Sequence, residues 1–284
     1  MSRRRRTAGA PRRVPKRRAD KPSMAARADP HVLYEQSVQC VEAEIDFVDE
    51  TFEALRGRQA RLLREDFCGT AATACEWVRR RDSNRAYGVD LDPQVLAWGE
   101  EHNVTKLEDG AQRIRLLNAD VMEVVTEPVD AVLAMNFSYW IFKERATLRR
   151  YFQRVREGLA ADGIFFLDAY GGSEAFEVMK DRHDYGRFTY IWDQAEYNPI
   201  NGHMTCYIHF RFRDGSRLNK AFAYQWRLWT LPELREVLTE AGFARVIVYW
   251  EGTDEESGEG NGVFEPTEVG EPDPAWLAYI VAEK

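Results

Sequence analysis

Between residues 62 and 168 the chain alternates short, nearly continuous apolar runs with stretches of helical period, and each run ends in an acid or an amide. Leu62-Leu63 leads to Glu65-Asp66, Tyr87-Gly88-Val89 to Asp90, the run from Ile114 to Asn118-Ala119-Asp120, the run from Ala131 to Asn136, and the run from Ile164 to Asp168. Between them, Ala71 to Arg80, the segment from Pro93, and the series Leu148, Tyr151, Phe152, Val155, Leu159 read as helices, the last expected to stop at Gly163. Strands apolar on both faces, each followed by a helix, predict an α/β, Rossmann-like, doubly wound sheet of seven strands, mostly parallel. Ligands of such sheets sit beyond the carboxyl ends of the strands, so the polar ends point to one shared crevice.

After residue 200 the period changes. Met204, Cys206, Ile208, Phe210 and Phe212 alternate with polar residues, Asp214-Gly215 makes a turn, and Leu218, Phe222, Tyr224 and Trp226 mark a returning strand. Residues 203–226 are therefore expected to be an antiparallel hairpin inserted into the main domain, which spans 31–284. A helix from Pro232 to Ala241 and strands from Val246 to Trp250 and from Trp276 to Val281 complete the pattern. The acidic 251–275 connection reads as either a lid or a disordered loop. At the other end, Leu33, Val38, Val41, Ile45, Val48, Phe52 and Leu55 give helices with one apolar face.

Charge is unevenly spread. The net charge is −8, yet residues 1–27 carry about +10, leaving about −18 on the remainder. An acidic body repels polyanions, so nucleic acid could be engaged only through the basic arm, which otherwise reads as a disordered solubilising tail or a start-site artefact; residues 1–30 comprise this arm and a linker from Pro22 through Pro30. No apolar run is long enough to span a membrane. The four cysteines, Cys40, Cys68, Cys75 and Cys206, show no paired spacing and suit a reducing, cytoplasmic compartment. The five histidines lack the spacing of metal ligands, and no metal is expected.

Asp90 follows Gly69 by 21 residues, the offset at which an acid ending a second strand accepts hydrogen bonds from a ribose. A ribosyl ligand is implied. A dinucleotide is disfavoured, because GxGxxG is missing and acids surround the turn where phosphates would lie. This makes a dehydrogenase a remote alternative.

Leu63-Arg64-Glu65-Asp66-Phe67-Cys68-Gly69-Thr70-Ala71, Tyr87-Gly88-Val89-Asp90-Leu91-Asp92 and Asn118-Ala119-Asp120-Val121 resemble three successive motifs of the class I S-adenosylmethionine-dependent methyltransferases. The stretch from Trp229 to Tyr249 resembles the end of the small-molecule members. Two of the three glycines of the first motif are Phe67 and Ala71 here, which calls for a turn at Phe67 without the left-handed conformation. The Phe67 ring is expected either against the cofactor or in the core. The resemblance implies S-adenosyl-L-methionine as cofactor, with Glu65 or Asp66 near its amino group. It also implies close backbone approach at Gly69, Asp90 at the ribose hydroxyls and Asp120 at the adenine amino group, with Thr70, Ala71, Leu91 and Val121 as further cofactor-binding residues. Tyr34 matches a tyrosine on the N-terminal lid helix of related enzymes. Asn136-Phe137-Ser138-Tyr139 loosely resembles the Asn-Pro-Pro-Tyr element of amino-methylating members, making Asn136 and Tyr139 candidates at the methyl acceptor; otherwise Asn136 caps a helix and Tyr139 is core. The activity so implied is methyl transfer to an amine or hydroxyl of a small molecule. The competing readings are an RNA or protein methyltransferase guided by the arm, and a non-catalytic module that has lost its cofactor.

Overall fold

Leu62–Asp66 (β1) is buried along its whole length, as a strand covered on both faces must be. The computed structural model describes residues 21–254 and 260–284. Ahead of β1 come helices Met24–Arg27 (α1), Pro30–Ser37 (α2) and Val41–Arg56 (α3). After it follow Ala72–Arg80 (α4), Arg85–Asp90 (β2), Pro93–His102 (α5), Ile114–Asn118 (β3) and Val129–Ala134 (β4). Next are Arg145–Gly158 (α6), Leu159–Gly171 (β5), Met179–Asp184 (β6), Phe188–Asn198 (β7), His203–Phe212 (β8) and Arg217–Arg227 (β9). Leu231–Glu240 (α7), Arg245–Thr253 (β10), Gly260–Thr267 (β11) and Trp276–Glu283 (β12) end the chain.

The main sheet runs β11-β10-β12-β5-β4-β1-β2-β3. The five strands from β5 to β3 are parallel, whereas β12 is antiparallel to both of its neighbours and β11 is antiparallel to β10. Strand order reverses between β1 and β4, which opens the crevice there. One apolar layer, with Phe152, Phe165, Trp229 and Leu234, lies under α6 and α7, and the other, with Ile45, Phe52, Trp77 and Val281, lies under α3 and α4. The apolar face of α3 repeats at Ile45, Val48 and Phe52, and the helix ends at Gly57 in the left-handed conformation.

Four expectations change. The sheet has eight strands rather than seven, because β11 forms within the 251–275 segment and pairs with β10. The inserted hairpin is half of a four-stranded antiparallel sheet, β6-β7-β8-β9. Its β6, with the sequence MKDRHD, is exposed along most of its length and offers no apolar alternation to read. Gly163 does not stop α6; the helix ends at Gly158, and Gly163 lies inside β5, whose first residue Leu159 pairs with Val129. The stretch after residue 21 is not all linker: Ser23 caps α1, which docks when Asp214 accepts the Met24 N–H at 2.7 Å and Ser216 Oγ accepts the Ala25 N–H at 3.0 Å. The rest of the basic arm, residues 1–20, and residues 255–259 of the acidic segment lie outside the described residues.

One ion pair is sealed in the core. Arg64 grips Asp66 through two hydrogen bonds, 2.8 and 3.1 Å, and the Tyr151 hydroxyl donates to the same carboxylate at 2.9 Å. Both charged side chains are essentially inaccessible, at 2% and 0% exposure. Removing one partner of such a pair strands the other charge. Arg64→Met should therefore cost about 3–5 kcal/mol in urea denaturation, while Arg64→Met combined with Asp66→Leu should recover most of that loss.

Candidate functional site

The turn from β1 into α4 sets the site. Phe67, Gly69 and Ala71 all have left-handed backbones, with φ of 58°, 52° and 57°. The expectation that Phe67 avoids that conformation is thus wrong: the loop keeps the alternating geometry for which three glycines are the usual residues. Each non-glycine residue so placed costs about 1–2 kcal/mol, and tertiary bonds hold the shape. Asp90 Oδ2 accepts the Gly69 N–H at 2.9 Å, the Cys68 N–H reaches the Val89 carbonyl at 3.0 Å, and the Ala71 N–H reaches the Cys68 carbonyl at 2.7 Å. From the far side Gly99 of α5 presses on the loop; a Cβ there would lie 2.5 Å from the Thr70 carbonyl oxygen.

A cavity of about 470 Å³ opens beside this loop. Its floor comes from the strand ends: Glu65, Asp66, Phe67, Gly69, Thr70, Asp90, Met135 and Asn136. Its roof comes from α2 and β9, with His31, Tyr34, Phe222, Tyr224 and Trp226. Helix α2 is tied at three points. Asp29 accepts the Trp98 indole N–H at 2.8 Å; Glu35 accepts the Thr70 hydroxyl at 2.6 Å and the Asn103 amide at 2.7 Å; Tyr34 packs on Phe222 with ring centroids 4.9 Å apart. The helix thereby bridges the main sheet and the antiparallel sheet over the cavity.

Carboxylates dominate the electrostatics. Glu65, Asp66, Asp90 and Asp92 line the cavity, and no lysine or arginine is among its described lining residues. Burial raises the Glu65 pKa to about 8, even though its carboxylate accepts the Ala74 N–H at the start of α4. Glu44 of α3, bonded to the Thr73 hydroxyl, is pushed to about 7 by burial, and so is Asp168 of β5. Asp168 also shapes the neighbouring loop. Its oxygens accept the N–H groups of Asn136 and Phe137 at 2.8 and 2.9 Å, and both of those residues have φ of 56°. A buried carboxylate thus clamps a strained two-residue turn that brings Asn136 to the cavity.

The expected site residues divide into two groups. Tyr34, Glu65, Phe67, Gly69, Thr70, Asp90 and Asn136 come together at the cavity. Phe67 lines the cavity while its ring packs near Tyr151 at 5.6 Å and Phe142 at 5.9 Å. Asp66 also touches the cavity, but its carboxylate is consumed by Arg64 and Tyr151, so of the two acids Glu65 is the one left for a ligand. The others lie elsewhere. Tyr139 is fully buried and donates its hydroxyl to the Asp168 carbonyl at 2.7 Å, so it supports the loop from within the core and cannot meet an acceptor. Ala71 and Val121 are core residues. Leu91 points to solvent at 63% exposure, and Asp120 is exposed, accepting the Met122 N–H at 2.8 Å away from the cavity lining. Sequence reading missed Glu44, whose signal was an acid inside the apolar stripe of Val41, Ile45 and Val48. It also missed the clamping role of Asp168. Among the described residues no group of three or more His, Cys, Asp or Glu is placed to hold a metal ion.

Raised carboxyl pKa values make stability depend on pH in a fixed direction. Between about pH 4.5 and 8 the folded chain retains protons on Glu44, Glu65 and Asp168 that the unfolded chain has released, so stability falls as pH rises through this window. Urea titrations at pH 5.5, 7 and 8.5 should show this decline, and Glu65→Gln should flatten its upper part.

Residues 66–167 match the family model described as a methyltransferase domain. No curated protein matches the sequence significantly. Among solved structures, the fold is similar to an S-adenosylmethionine-dependent methyltransferase from Clostridium acetobutylicum, at 16% identity over 88% of this chain and 96% of that one, with a TM-score of 0.63. It is also similar to an amino pentose methyltransferase from Micromonospora echinaspora, at 17% identity over 89% and 95% of the two chains with a TM-score of 0.62. A sugar N-methyltransferase from a Streptoalloteichus species is 18% identical over 98% and 99%, with a TM-score of 0.61. At such identities these likenesses establish the fold alone. Residues 66–167 thus match a methyltransferase domain, and the fold around them is similar to that of solved S-adenosylmethionine-dependent methyltransferases.

Proposed function

We propose that the cavity between β1, α2 and β9 binds S-adenosylmethionine and that the chain transfers its methyl group to an amine or hydroxyl of a small molecule. The observation that carries this reading is the 67–71 loop, held in its alternating left-handed geometry by Asp90 at the edge of an acid-lined cavity with no lysine or arginine among its described lining residues. Such a setting suits a ligand with an ammonium and a sulfonium, and repels phosphates. It also speaks against a decayed module, because the backbone of the loop retains its shape although two glycines are replaced. S-adenosylmethionine, when bound, supplies an electrophilic methyl group on sulfur.

The chain's own contribution is then alignment. Holding the acceptor and the methyl group in line is worth on the order of 7–11 kcal/mol, and no triad or metal is needed for it. Asp90 has one lone pair on each oxygen left beyond its bonds to Gly69 and Asp92, and these would take the ribose hydroxyls. Asn136, presented by the Asp168 clamp, would accept a hydrogen bond from the acceptor. The enclosing roof of α2 and β9 favours a small acceptor over a polymer, in keeping with the sugar and amino pentose methyltransferases among its structural neighbours. Cytoplasmic residence belongs to the same reading, supported by four free cysteines. Among the described residues no helix is long and apolar enough to cross a membrane.

Calorimetric titration with S-adenosylmethionine and S-adenosylhomocysteine tests the proposal. Saturable binding of both is expected; heat from neither ligand would sink it. Asp90→Ala should weaken S-adenosylhomocysteine binding by about 1–3 kcal/mol, from loss of the ribose bonds and of the Gly69 tie.

A further inference from the structure

Gln39 lies in the short link between α2 and α3 and lines the cavity. Its Oε1 is closed off from solvent and has no hydrogen-bond partner. An interior acceptor left in that condition is costly, and nearly all such atoms in folded chains find a donor. The two other described side-chain atoms in the same state, Trp140 Nε1 and Arg156 Nε, belong to residues that do not line this cavity. The donor that Gln39 lacks is one that a guest in the cavity can bring.

The fold tells which end of the guest arrives there. Asp90 stands on β2, to one side of β1; β4 and β5 lie to the other. Glu44, five residues after Gln39, bonds to the Thr73 hydroxyl just past the β1 turn, and Phe47 of the same helix packs edge-on against Phe166 of β5 at 6.2 Å. The start of α3 therefore overlies the β1–β5 side of the crevice, opposite Asp90. A nucleoside whose ribose meets Asp90 turns its other end toward Gln39 and Glu65. In the cofactor proposed above, that end is an amino acid whose ammonium carries three donors.

We infer that Gln39 Oε1 accepts a hydrogen bond from this ammonium, with the Glu65 carboxylate as its charged partner. The assignment rests on the cofactor reading, and it makes the α2–α3 link the element that distinguishes a ligand with an amino-acid tail from one without. Gln39 acts in recognition alone; it takes no proton and forms no bond to the methyl group.

The test compares S-adenosylhomocysteine with 5′-methylthioadenosine, which keeps the adenosine and the sulfur but lacks the amino-acid end, by calorimetry on the full chain. Gln39→Met, close in length but without a strong acceptor, should raise the Kd for S-adenosylhomocysteine about tenfold and leave that for 5′-methylthioadenosine within about twofold. Gln39→Glu restores an acceptor and should keep S-adenosylhomocysteine affinity at or above the wild-type value, so the comparison survives if Gln39→Met folds poorly. Equal weakening of both ligands, no weakening of either, or a Gln39→Glu variant that loses S-adenosylhomocysteine as strongly as Gln39→Met would overturn the inference. A wild-type chain that binds neither ligand removes the cofactor reading and this assignment together, whereas a wild-type chain that binds both while the variants fail to discriminate removes this assignment alone.

Discussion

A carboxylate taken out of water without a cation beside it loses far more hydration than neutral neighbours return. Around this crevice the fold places three of them, Glu44, Glu65 and Asp168, on three different elements. The sequence makes the arrangement uneven, since the adjacent Asp66 is given an arginine and a tyrosine while its neighbour Glu65 receives the Ala74 backbone N–H. One face of β1 is thereby neutralised for the core and the other is left short of positive charge. Under the cofactor reading, a cationic guest would draw the proton from Glu65 and pair with the carboxylate left behind.

The same division separates what shapes the site from what meets a ligand. Tyr139 and Asp168 act inward, fixing the loop after β4, and Asn136 is the residue they deliver. Glu35 and Asp29 similarly hold α2 in place, so that Tyr34 and His31 face the cavity. Much of the strain here is carried in backbone conformation, at Phe67, Ala71, Asn136 and Phe137, and each strained residue lies within one bond of a buried polar partner or the loop that partner ties.

How much of this could be read from residues alone followed from which physical signal each part leaves behind. The parallel strands were legible because burial on both faces makes them continuously apolar and the following helix makes them end in polar residues; β1, β2, β3, β4 and β5 were placed to within a few residues apart from the start of β5. Asp90 was legible by its distance from Gly69, and the structure joins the two directly. The edge strands β6 and β11 were not, because exposed strands in charged sequence need no alternation and owe their pairing to neighbours. Asp120, Val121 and Leu91 lie off the cavity lining for a related reason: a motif gives position along the chain but not the direction in which a strand end releases its side chains. Tyr139 failed because its ring was needed under the sheet, a demand set by packing with Phe152 and visible only in three dimensions.

The left-handed phenylalanine at position 67 has a wider implication. Glycines are ordinarily taken as the signature of this turn because they adopt it without penalty. Here the bend survives their loss, since the hydrogen bonds from neighbouring strands dictate it and the ring is repaid by its contacts beneath. Surveys that screen genomes for the spelling of the turn will pass over chains of this sort, while those that ask for an acid one strand away, at the correct separation, will find them.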